Sequence, residues 1–125
     1  MGGTMTKQIS FSHLEQKFMH VMRERINHAE NQMDLKNQFS YTINDFLRSA
    51  FQDKNIQLAF DDISFDVDTK HHYKLRKELK KSPVFMATWK NSDISFTIER
   101  FACMCYNRYI HLCKHNEKTE KKIRN

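Results

Sequence analysis

Leu14, Phe18, Val21, Met22, Ala29 and Met33 recur at three- and four-residue steps, behind Ser12 and Glu15 at the spacing of a capping box. The spacing predicts an amphipathic helix over about 12–33, with His13, Lys17, His20, Glu24 and Asn27 on its polar face. Asp34, Asn37 and Ser40 then interrupt good helix formers. Phe39, Ile43, Phe46, Leu47, Ala50 and Phe51 make a second apolar stripe, which predicts a helix over about 35–52 or a kinked continuation of the first.

Asp53-Lys54-Asn55 is turn chemistry without glycine, so a strand is expected to follow. Ile56, Leu58 and Phe60 alternate with polar residues. The phase slips by one at Asp61-Asp62, and Ile63, Phe65 and Val67 resume the alternation, as in a bulged strand or a tight hairpin. Residues 70–81 read as a short basic helix capped by Asp68 or Thr69, carrying Tyr73, Leu75 and Leu79 inward and ending at Ser82-Pro83. Val84 to Trp89 and Ile94 to Ile98 are rich in β-branched and aromatic residues around Lys90-Asn91-Ser92-Asp93, which predicts a hairpin. Phe101, Cys105, Tyr109 and Leu112 predict a last helix, fraying near His115.

These elements define an α+β class: two N-terminal helices, a small antiparallel sheet and a C-terminal helix. One domain is expected over 11–115. Residues 1–10 are set aside as a disordered start or an expression remnant, and 116–125 as a basic tail. Phe46, Phe51, Phe65, Phe96 and Phe101 fall on the apolar phase of their elements and are the expected core.

Composition narrows the function. Of 125 residues, 39% are hydrophobic and ten are Phe, enough for a packed interior beside 29% charged residues. Glycine occurs only at Gly2 and Gly3, which excludes Gly-rich phosphate loops, the dinucleotide fingerprint and the nucleophile elbow. No apolar run approaches the ~18 residues of a membrane span, so no membrane partner is expected. An odd count of three cysteines without an apolar leader points to the cytoplasm.

Candidate chemistry is sparse. Cys103, Cys105, His111, Cys113 and His115 are numerous enough for zinc, but on a helix Cys103 and Cys105 diverge by about 200°, so they read as reduced and metal-free. Asp61, Asp62, Asp66 and Asp68, with Glu99 on a neighbouring strand, lack the lysine that a nuclease carboxylate pair needs, and read as a solvated face. His20 and Glu24 read as a surface pair, and no Ser or Cys has a local His signature. No catalytic residue, metal or cofactor is assigned.

Charge is the strongest lead. Of the net +6, residues 70–81 carry +5, residues 114–125 carry +3, and the rest carries −2. A helical stripe of Lys70, Lys74, Lys77 and Lys81, flanked by Arg76 and Lys80, together with Lys121, Lys122 and Arg124 of the tail, suits the phosphates of a nucleic acid. Tyr73, Trp89 and Tyr106 offer rings for stacking. The expectation is a small cytoplasmic, non-enzymatic nucleic-acid-binding or regulatory protein. The alternative is a protein-interaction module (adaptor, chaperone or inhibitor) that docks a partner or a second copy of itself through a Phe- and Met-rich face.

Overall fold

A computed structural model describes the backbone of residues 10–54 and 56–124, and the side chains of 10–54 and 56–114. Among them the order is α1 (Ser12–Asn27), α2 (Gln32–Ala50), β1 (Ile63–Phe65), β2 (Tyr73–Leu75), α3 (Lys77–Lys80), α4 (Pro83–Asn91) and α5 (Ile94–Arg124). The class is α+β, mostly helical, with helices before and after a two-stranded antiparallel sheet along the chain. Among the described residues no helix is long and apolar enough to cross a membrane.

Phe46 of α2 lies at the centre of the core. Its ring meets Phe11, Phe18 and Phe101 edge-on at centroid distances of 6.4, 5.8 and 5.4 Å, which joins α1, α2 and α5 through the ring geometry that aromatic quadrupoles favour. Ile63 and Phe65 of β1 add to the same cluster, and Phe85 of α4 stacks on Phe51.

The first helix ends earlier than its apolar stripe suggests. Asn31 is the N-cap of α2: its Oδ1 accepts the Asp34 N–H at 2.8 Å, while Asp34 Oδ2 accepts the Glu30 N–H at 3.1 Å. Asp34, predicted to break a helix, therefore starts one, and the break falls at 28–31. Met33, expected on the buried stripe, is exposed as a result. The predicted Ser12–Glu15 capping box is also absent. Phe11 is the N-cap without a side-chain bond, and the Glu15 carboxylate instead accepts from Thr97 Oγ1 and from the Arg100 guanidinium of α5.

Two strand predictions are corrected by helix signals. Ser82 Oγ accepts the Phe85 N–H at 3.2 Å and Pro83 opens α4, a cap that commits 83–91 to helix despite its β-branched and aromatic residues. Ile94, Thr97, Ile98, Phe101, Ala102 and Cys105 are buried at helical spacing, so α5 absorbs the second predicted strand. Phe96 lies off that phase and is 60% exposed, which overturns its place in the core. Phe46, Phe51, Phe65 and Phe101 are buried as expected.

Residues 56–60, predicted as strand, form no ladder. The phase slip at 61–62 is a turn that leads into β1, whose register with β2 is Ile63↔Leu75, Ser64↔Lys74 and Phe65↔Tyr73. That pairing overturns the basic helix over 70–81, because Tyr73 and Leu75 alternate against the core as a strand and only Lys77–Lys80 is helical. The connection between the strands ends on His72 in the left-handed region (φ 68°), and its ring lies parallel to Tyr106 at 4.0 Å.

Candidate nucleic-acid interface

The lysines of the basic segment keep their exposure but lose their common helix. Lys70 is in the turn between the strands, Lys74 is on the outer face of β2 opposite Ser64, Lys77 and Lys80 are on α3, and Lys81 is its C-cap. Positions 77, 80 and 81 share one helical face, since Leu79 turns the other way into the core. The predicted four-lysine stripe is therefore two groups. The side chains of Lys121, Lys122 and Arg124, expected in a tail, lie outside the described residues.

Arg76 stands apart from the lysines. Its Nε and Nη2 donate to Asp62 Oδ1 at 2.9 and 2.7 Å, Asp61 approaches at 3.8 Å and Glu78 at 3.5 Å. The bonds to Asp62 hold the guanidinium pKa above its ordinary value. Asp62 is itself buried, and its Oδ2 accepts the Ala59 N–H at 2.7 Å, so arginine and aspartate together pin the 59–62 turn. Arg76, expected to meet a phosphate, is committed to the fold.

Charge balance over 61–81 is closer than the sequence segment suggests: six cations face five carboxylates. Their pairing is uneven. Arg76 takes three carboxylates, whereas Lys70, Lys74, Lys77, Lys80 and Lys81 form no ion pair among the described residues. Asp66 and Asp68, predicted to share a strand face, lie in the connection between the strands, where Asp66 Oδ1 accepts the Asp68 N–H at 2.9 Å. Glu99 is on α5 rather than on a strand, 2.9 Å from His71 Nδ1.

The rings that the sequence offered for stacking are occupied. Tyr73 meets Trp89 edge-on at 6.0 Å, Trp89 stacks on Phe85 at 5.4 Å, and Tyr106 covers His72. Burial, with the Glu99 charge behind it, raises the Tyr73 pKa. An exposed aromatic contact lies elsewhere, Tyr41 of α2 against Phe60, at 4.6 Å between centroids. Phe60 falls with Ile56 and Leu58 on the apolar phase of the strand expected there. Tyr41 carried a usable signal, because it falls between Phe39 and Ile43 on the polar side of the α2 stripe.

Cys103 is exposed and Cys105 buried, as helical divergence requires, and all three cysteines are free. Burial pushes the Cys105 thiol far above its usual range. Cys113 is half-buried and accepts the Gln32 amide at 3.2 Å. Among the described residues no three His, Cys, Asp or Glu side chains come together as a metal site would need. Compared with protein-family models, curated proteins and solved structures, the chain matches none.

Proposed function

We propose that the protein is a small, non-enzymatic nucleic-acid-binding protein that engages phosphates through Lys70, Lys74, Lys77, Lys80 and Lys81. One observation carries the reading: all five lysines are exposed and without an ion pair among the described residues, although the same stretch of chain holds five carboxylates. Lysines that merely balanced the neighbouring aspartates would be found beside them, as Arg76 is. Cations left unpaired on a hairpin and a short helix suit a ligand that brings its own anions and releases counterions on binding. We place it in the cytoplasm, where three free thiols suit a reducing compartment. The second reading, a protein-docking module, draws on Phe96 exposed on the first turn of α5.

Fluorescence anisotropy with labelled oligonucleotides across a salt series tests the reading. Replacing Lys77, Lys80 and Lys81 with Gln should leave folding intact, since all three are exposed. Affinity should drop, and the slope of log affinity against log salt should shrink by about 0.7 to 0.9 for each phosphate that is no longer neutralised. Wild-type protein that binds neither single- nor double-stranded nucleic acid at low salt would give first place to the docking module.

A further inference from the structure

We infer that Tyr41 and Phe60 form a base-stacking platform for a single-stranded nucleic acid, with Arg48 on one side and Lys74 of β2 on the other. The inference rests on the phosphate-binding reading above and adds to it the form of the nucleic acid and the residues that meet its bases.

Folding does not account for these two rings. Phe60 is 44% exposed and Tyr41 53% exposed, so much of the free energy that burial would supply is forgone at both. Phe60 is also held in place. Asp62 N–H donates to the Ala59 carbonyl at 3.2 Å, closing the turn around Phe60, and the same carbonyl accepts the Asn44 amide of α2 at 2.9 Å. Asn44 lies on α2 one turn beyond Tyr41, so its bond to Ala59 sets Phe60 beside the Tyr41 ring. An apolar ring fixed at the surface by hydrogen bonds on its flanking residues is presented to something.

The charges flanking the pair identify what that is. Arg48 donates through Nε to Asn44 Oδ1 at 2.9 Å, which keeps its guanidinium on the same side of α2, and it has no carboxylate partner among the described residues. On the other side, Asp61 follows Phe60 directly and shares with Lys74, Ser64 and Arg76 the walls of a hollow of about 240 Å³. The Arg76–Asp62 pair thus holds the Phe60 turn against the root of the lysine-bearing segment. Arg48, the exposed rings and, past an Asp61 carboxylate that Arg76 approaches at 3.8 Å, Lys74 suit a backbone that tracks the cations while its bases lie on the rings. A duplex keeps its bases stacked internally and gains nothing from the rings, and a protein strand or helix would draw on the unpaired lysines only through acidic side chains of its own.

Anisotropy with fluorescein-labelled oligothymidylate, with a duplex of mixed sequence for comparison, provides the test. Wild type should prefer the single strand. Phe60→Ala and Tyr41→Ala should each weaken that binding about ten-fold, while the salt slope holds because neither ring meets a phosphate. Phe60→Trp, which keeps an aromatic face, should retain the affinity, so the platform stays testable even if Phe60→Ala disturbs the turn. Salt-sensitive binding that is indifferent to both ring substitutions, or a preference for the duplex, would overturn the platform and leave the phosphate-binding reading standing. Absence of any binding by wild type would remove both. A ring substitution that changes the sedimentation of the free protein without changing oligonucleotide affinity would assign the rings to a protein contact and overturn the platform.

Discussion

Glu15 shows how much one side chain can fix. Its carboxylate sits almost buried between α1 and α5, accepting from Thr97 Oγ1 at 2.9 Å and from Arg100 Nη2 at 2.6 Å. The Arg100 hydrogen bond holds its pKa below the ordinary glutamate value, against a smaller opposing effect of burial. A carboxylate depressed on folding contributes stability that is fully present above its unfolded pKa and is lost as pH falls through the folded one. Arg100, raised by the same carboxylate, stays charged throughout this range. Glu15→Gln should therefore cost about 2 kcal/mol near neutrality, less than a wholly buried pair because the Arg100 side chain is 52% exposed. Thermal melts from pH 7 downward should show the cost shrinking below about pH 4.5. An equal loss at every pH would mean that Glu15 acts by packing rather than by charge. At the opposite end of the same contact, Arg108 donates to the carbonyls of Ile26, Asn27 and Ala29 at 3.0 to 3.1 Å, a cation placed at the negative end of α1.

Elements reveal where reading by residue type and reading by period part company. Ile94 to Ile98 has strand-like composition, yet Ile94, Thr97, Ile98 and Phe101 share one helical face that continues into Ala102 and Cys105. Residue type favoured a hairpin there, and the period together with the Ser82-Pro83 cap decided for helix. The test is direct: Phe101→Ala should cost about 3–5 kcal/mol, whereas Phe96→Ala should cost no more than about 0.5 kcal/mol, since its ring is already in water. Comparable losses in urea melts would put Phe96 back in the core. The two N-terminal helices and the last helix were legible because their stripes run for several turns. Over 70–81 the pattern is short and two-sided. Leu75 and Leu79 are four apart as in a helix, but Tyr73 and Leu75 alternate, and the partners that choose between them, Ile63 and Phe65, lie about ten residues away. Such long-range pairing leaves no local trace. The same holds for the candidate site: the lysines were visible as a charge run, while the capture of Arg76 by Asp62 and the meeting of Tyr41 with Phe60 depend on contacts between separate elements.

At the scale of the whole molecule, stability should be graded from the helical core to the basic segment. α1, α2 and α5 meet around Phe46, Phe18 and Phe101, whereas α3 is one turn whose one buried side chain is Leu79. Its backbone bonds, Lys80 N–H to the Arg76 carbonyl at 3.2 Å and Lys81 N–H to that of Lys77 at 3.1 Å, are flanked by exposed lysines. Segments with few buried contacts and solvated hydrogen bonds open without unfolding the rest. Amide hydrogen exchange should accordingly run at least ~10-fold faster at Lys80 and Lys81 than at Ile43 and Phe46 of α2. A ligand that binds only the closed segment should slow the first pair selectively, because binding to one state lowers the population of the other. Adding oligothymidylate should therefore protect Lys80 and Lys81 while leaving Ile43 and Phe46 unchanged. Equal protection of both pairs in the free protein would make α3 part of the cooperative core. Unchanged exchange at α3 with oligonucleotide bound would place the phosphate contacts elsewhere on the surface.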